Sequence, residues 1–250
     1  MTEPRDYNAE YYDAFTTTTE DIEFYAGFAN PQSRVLELGC GTGRVAGALA
    51  SSVASVVGVD ISPSMLERAR ARSVTGDVEF VQGDITSVRL EGRFDLIIAP
   101  FRVMQCLEHR TQVDGLFEVI RAHLATDGLA ILNVFHPLHA REDMASAWPS
   151  EEELSHGEVV LPNGDRLVRG DVRPSLDAER QVLYPELIYR RYRGDELVDE
   201  HINPICMRYY YPDEFKELVV SQGFTVMEAH GGYAGEAYGQ GSELLLAFRA

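Results

Sequence analysis

Residues 37–44 read Glu37-Leu38-Gly39-Cys40-Gly41-Thr42-Gly43-Arg44. Before them, Arg34 to Leu38 (RVLEL) is a short apolar run of the kind that forms a buried strand. After them, Gly43 to Ala50 sets Val45, Ala46 and Leu49 on one side of a helix. Glycines at alternate positions between a strand and a helix let the backbone approach a ligand closely and adopt turns closed to other residues. A dinucleotide-binding turn has a similar outline, with glycines at the first, third and sixth positions. Counted from Gly39 the sixth position is Arg44. Counted from Gly41 it is Ala46, which that pattern permits, but the frame then lies one turn too far into the helix.

The pattern repeats outward from this turn. Ser55 to Asp60 (SVVGVD) is a second strand; Ser62-Pro63 then reads as a helix cap followed by proline at the first helical position. Val78 to Gln82 and Phe94 to Ala99 (FDLIIA) are a third and a fourth strand. Thr111 can cap a helix carrying Val113, Leu116, Phe117, Ile120 and Leu124, and Thr126-Asp127-Gly128 turns into a fifth strand, Leu129 to Phe135. Five near-continuous apolar strands joined by helices predict a parallel sheet covered on both faces. After Pro137 the helical period fades. Asn163-Gly164 marks a hairpin between Glu158–Leu161 and Arg166–Val168. Residues 137–210 therefore read as an antiparallel excursion, a lid or substrate wall. Pro212 to Gln222 is again helical, and Phe224 to Ala229 and Glu243 to Phe248 close the sheet. The expected division is a core of residues 1–136 and 211–250, with 1–30 as a helical lid, and the insertion 137–210.

ELGCGTG resembles the first motif of class I S-adenosylmethionine-dependent methyltransferases. The likeness continues in order and spacing through GVDISPSML (Gly58 to Leu66), QGDI (Gln82 to Ile85) and FDLIIAPF (Phe94 to Phe101). It implies a Rossmann-like, doubly wound, mostly parallel α/β sheet of seven strands, with the antiparallel insertion after the fifth. It also implies S-adenosyl-L-methionine as cofactor. By motif position Gly39, Cys40, Gly41 and Gly43 would line its methionine and ribose, with Glu37 near its ammonium group. Asp60, at the end of the second strand, would accept from both ribose hydroxyls; its other reading is a cap for the helix after Ser62. Ile61 and Met65 would pack on the adenine. Asp84 would bond the adenine amino group beside Ile85, or serve only as a turn residue. Ala99 and Pro100 end the fourth strand next to the methyl.

The charge balance narrows the partners. With 40 Asp+Glu against 22 Lys+Arg, the net charge of -18 repels phosphate backbones and anionic membrane surfaces. It reads as a solubility feature or as an attraction for a cationic substrate. Cys40, Cys106 and Cys206 are too few and too widely spaced for a disulfide framework or a zinc site, and no metal is expected. The opening MTEPRDYNAEYYDAF lacks the basic and apolar regions of a signal peptide, and no apolar run is long enough to span a bilayer. The expectation is a cytoplasmic monomer or homodimer that binds neither nucleic acid nor membrane.

The methyl acceptor would be a small molecule, modified at nitrogen or oxygen. His136, directly after the fifth strand, is the candidate general base, or else it holds the loop or positions substrate. Tyr7 and Tyr12 belong to an N-terminal aromatic segment that either closes over the site or packs as an amphipathic helix. Phe101, Arg102, Gln105 and Tyr233 are further acceptor-side candidates. Two other function classes stand beside this one: an NAD-dependent oxidoreductase of Rossmann type, and a non-catalytic S-adenosylmethionine-binding protein.

Overall fold

The computed structural model of the chain describes residues 8–250. They divide into two compact units. The first comprises Thr18–Leu138 and Tyr209–Ala250; the second comprises 8–17 and His139–Arg208. The first helix thus groups with the insertion, whereas the sequence placed it with the core.

The first unit is a seven-stranded sheet. Its strands are β1 (Arg34–Leu38), β2 (Ser55–Asp60), β3 (Val78–Gln82), β4 (Phe94–Ala99), β5 (Leu124–Phe135), β11 (Thr225–His230) and β12 (Glu243–Arg249), in the order β11-β12-β5-β4-β1-β2-β3. β1 pairs in parallel with β2 and β4, β2 with β3, and β4 with β5. β12 runs antiparallel to both β5 and β11. The order reverses between β1 and β4, since β2 and β3 lie to one side of β1 and β4 and β5 to the other. Such a reversal opens a crevice outside the carboxyl ends of the two central strands. The turn after β1 lies at that opening.

Apolar packing covers both faces. Leu36, Leu38, Ile97, Phe117, Ile120, Phe215 and Phe248 belong to one buried cluster; Val35, Val45, Leu49, Leu96, Ile98 and Ile131 belong to another. Alternate residues of one strand feed opposite clusters, as a pleated strand buried on two sides requires. The helices in this unit are α2 (Glu20–Ala26), α3 (Arg44–Leu49), α4 (Pro63–Ala71), α5 (Arg110–His123) and α7 (Pro212–Ser221). Ser62 caps α4, its side chain accepting from the Met65 amide, with Pro63 in the first turn. Several expected boundaries differ, those of α5 and β5 for reasons the contacts show. α5 begins at Arg110 rather than after Thr111, and the Gln112 side chain accepts from the His109 amide at 2.8 Å. β5 begins at Leu124, so Thr126-Asp127-Gly128 lies within the strand: Phe94 pairs with Leu124 and Leu96 with Leu129, and the turn residues form the irregularity between.

The second unit is the antiparallel excursion: β6 (Ser150–Val160), β7 (Arg166–Asp177), β8 (Val182–Arg193), β9 (Glu196–Pro204) and β10 (Met207–Arg208), with the short helix α6 (Met144–Ala147) before it. Asn163-Gly164 sits in the loop joining β6 to β7, with Gly164 at φ 86°. α1 (Ala9–Phe15) packs on this sheet. Tyr11, Leu161, Leu167 and Tyr189 form a buried cluster, and the Tyr11 hydroxyl donates to the Asp199 carboxylate. Among the described residues no helix is long and apolar enough to cross a membrane.

Candidate functional site

The glycine turn takes a conformation that only its composition allows. Gly39, Gly41 and Gly43 have φ of 75°, 53° and 72°, all left-handed. A Cβ on Gly39 would come within 2.5 Å of the Val103 side chain, and one on Gly43 within 2.7 Å of the Phe80 ring. A Cβ on Gly41 would meet nothing within 4 Å. Gly39 and Gly43 thus let the turn pack against its own unit, while Gly41 borders open space. Gly43 also caps α3, whose amino end faces the turn.

Two carboxylates flank it. Asp60, at the end of β2, accepts from the Gly41 amide at 2.8 Å and from the Ser62 amide at 2.9 Å. It braces the glycine turn, and the helix cap is Ser62, not Asp60. Burial raises its pKa, against the amides that lower it. Glu37, the penultimate residue of β1, is 3% exposed. The Ala46 amide donates to its carboxyl, yet Oε2 is buried with no partner. Burial pushes its pKa up to about 8, more than the Ala46 amide and nearby Arg44 can offset. A buried, half-satisfied carboxyl beside a left-handed turn is the group a ligand cation would complete.

Asp21 and Arg44, outside the predicted set, border the same turn. Asp21 is fully buried on α2 and binds both terminal nitrogens of Arg44, at 2.8 and 2.5 Å. Arg44 also donates to the Thr18 carbonyl at 2.8 Å and lies 5.7 Å from the Phe101 ring centre.

The other predicted residues fall as follows. Ile61 directly follows Asp60 and is partly buried; Met65 is buried on α4. Asp84 and Ile85 follow β3, and Asp84 Oδ1 accepts from the amide and hydroxyl of Thr86, so this carboxylate does shape a turn. Ala99 and Pro100 are buried where β4 ends. Phe101 is 42% exposed there. Arg102 forms an ion pair with Glu243 and donates its amide to Asn133. Gln105 is fully buried and its side-chain oxygen accepts from the Phe135 amide at 2.7 Å, which ties the turn after β4 to the end of β5. His136 is half-buried after β5, its amide bonded to Ser242 O and its Nδ1 3.2 Å from Gly241 O. A carbonyl can only accept, so Nδ1 carries the proton and Nε2 is the basic nitrogen. Tyr233 packs its ring against Phe24 and Tyr25. Tyr12 lies on α1 in the second unit, and Tyr7 lies outside the described residues. The structure thus brings together, at one edge of the first unit, Glu37, the glycines, Asp60, the β4 end, Arg102 and His136. A cavity of about 550 Å³ lined by Asn30, Ser33, Asp95 and Asp127 opens at the opposite, amino edge and shares none of these residues.

An open α/β sheet whose first strand ends in this turn, with a second-strand carboxylate braced against it, defines a class of adenosyl-cofactor enzymes. Residues 35–128, which span β1 through the start of β5, match the family described as "Methyltransferase domain", and over this stretch the chain is similar to class I S-adenosylmethionine-dependent methyltransferases. The chain is 28% identical over 216 residues to a methyltransferase of Geobacillus sp. (strain WCH70), covering 84% of this chain and 81% of that one. Several other curated methyltransferases match along shorter stretches, the chain spanning 42%, 39% and 37% of their lengths. Among solved structures, the CcbJ methyltransferase from Streptomyces caelestis aligns with a TM-score of 0.74 at 24% identity, over 92% of this chain and 88% of that one. CalS10, an amino pentose methyltransferase from Micromonospora echinaspora, aligns with a TM-score of 0.71 at 19% identity over 100% of both. S-adenosylmethionine is the cofactor of this enzyme class. The residues present fit it: an unpartnered buried carboxyl oxygen for a cation, and open space beside Gly41.

Proposed function

We propose that this enzyme transfers the methyl group of S-adenosylmethionine to a nitrogen or oxygen of a small-molecule acceptor. The observation that carries the reading is the orphaned Oε2 of Glu37 beside the Gly39–Gly43 turn, with Asp60 on the neighbouring strand end. When bound, the cofactor supplies an electrophilic methyl on a sulfonium, so no metal is required. Glu37 would take the cofactor's ammonium. Asp60 would hold the ribose hydroxyls with the lone pairs its amide bonds leave, and would repel a ribose phosphate. Ile61, Met65, Asp84 and Ile85 would border the adenine. Ala99, Pro100 and Phe101 would border the methyl.

The chain's contribution to rate is orientation, which supplies roughly 7–11 kcal/mol in favourable cases. His136 is the proton acceptor in this reading. Its Nδ1 lies 3.2 Å from the Gly241 carbonyl, which leaves Nε2 as the nitrogen that takes the proton. An amine or hydroxyl that loses its proton to Nε2 presents a lone pair to the methyl. A small acceptor is supported by the net charge of -18, which disfavours polyanions, and by the likeness to an amino pentose methyltransferase. Incubation with methyl-labelled cofactor and a panel of amine and hydroxyl metabolites, beside bulk RNA and protein, tests it. Label is expected in one or a few small molecules. Label confined to RNA or protein refutes the acceptor class.

A further inference from the structure

β4 leaves the sheet through two consecutive left-handed residues that are not glycine: Phe101 at φ 54° and Arg102 at φ 67°. Side chains rarely adopt that conformation, and it persists only where the surroundings impose it. Here a closed ring of hydrogen bonds imposes it. The Arg102 amide donates to Asn133 Oδ1 at 3.0 Å, and Asn133 Nδ2 donates to Glu243 Oε2 at 2.9 Å. The Glu243 carboxylate accepts from Arg102 Nε at 3.4 Å and from Nη2, returning to the residue where the ring began. The Arg102 guanidinium lies 5.7 Å from the Phe135 ring centre. The ring joins the ends of β4, β5 and β12. Asn133 is fully buried and Glu243 is 8% exposed. The Glu243 carboxylate is largely buried while the Arg102 side chain keeps 40% exposure, and an ion pair of that kind adds little stability, which leaves position as its role.

We propose that Asn133 and Glu243 are positioning residues for methyl transfer: they hold the left-handed turn at Phe101-Arg102 and so fix the surface that the β4 end presents to the methyl. This rests on the reading that Ala99, Pro100 and Phe101 border the methyl. The turn is tied to the cofactor loop as well, because the Phe101 ring meets the guanidinium of Arg44, the residue after Gly43. Neither Asn133 nor Glu243 touches substrate in this scheme; each acts through Arg102.

The test needs no acceptor. S-adenosylmethionine and S-adenosylhomocysteine differ by the methyl and its positive charge, so the ratio of their dissociation constants reports on the surface around the methyl. Asn133→Ala and Glu243→Gln are each titrated with both compounds by calorimetry, well below their melting temperatures. Each variant is expected to change the ratio at least fivefold while S-adenosylhomocysteine affinity stays within twofold. Faster amide exchange at Arg102 is expected alongside. Asn133→Ala changes no charge and so controls for the carboxylate's direct field. An unchanged ratio, or a parallel fall of both affinities, overturns the positioning role and leaves a purely structural one. Should neither compound bind the unaltered enzyme, it is the cofactor-site reading that fails.

Discussion

At the residue scale, Glu37 carries the sharpest consequence. Its pKa of about 8 belongs to a carboxyl kept neutral by burial. A ligand ammonium requires the ionised form, so affinity for S-adenosylmethionine is expected to rise toward pH 8, by up to about tenfold per pH unit, and then level off. Glu37→Gln should flatten that profile, as isothermal titration at several pH values would show. The sign for stability is opposite. Above the ordinary carboxylate pKa the unfolded chain ionises while the folded one stays protonated, so the ligand-free protein loses stability as pH rises from about 4.5 to 8. His136→Ala should lower turnover about 10²-fold or more with cofactor affinity kept, and an unchanged rate would leave it as scaffold. Motif position pointed to Glu37 and Asp60, and the place directly after the fifth strand pointed to His136. Asp21, Asn133 and Glu243 carry no such mark. Their roles arise from residues far away in the chain, Asn133 and Glu243 being brought together only by the pairing of β5 with β12.

Elements were more legible than partners. β1, β2, β3 and β4 match their predicted limits because continuous apolar runs bounded by turn residues have one solution in a doubly covered sheet. The extension of β5 back to Leu124 was hidden, since Thr126-Asp127-Gly128 has turn chemistry and only tertiary pairing draws it into the strand. The glycine turn yields a paired prediction. Gly43→Ala puts a methyl within 2.7 Å of the Phe80 ring at φ 72°, and should cost about 1–3 kcal/mol of stability in denaturant unfolding. Gly41→Ala meets nothing within 4 Å. It should cost about 1–2 kcal/mol, from its left-handed backbone alone, yet weaken cofactor binding more than Gly43→Ala does, because its methyl enters the space the ligand needs. Equal effects of the two on binding relative to stability would place the ligand elsewhere.

At the scale of the whole molecule, charge and grouping of segments matter most. The net charge of -18 spreads self-repulsion over the protein, so the melting temperature should rise between low salt and 0.15 M as screening shortens to roughly 8 Å. The antiparallel region was readable from its hairpin and fading helical period. That α1 joins it was not, because the bond from Tyr11 to Asp199 spans most of the chain. The methyltransferase assignment rests finally on one physical arrangement, a left-handed glycine turn between Glu37 and Asp60. Calorimetric titration of S-adenosylmethionine into the unaltered enzyme and into Asp60→Ala addresses it most directly. Saturable binding at one site per chain is expected for the first. For the second, a folded protein with affinity lower by about 10- to 100-fold is expected, the loss of charge-assisted hydrogen bonds. Equal affinities in the two proteins would contradict the arrangement.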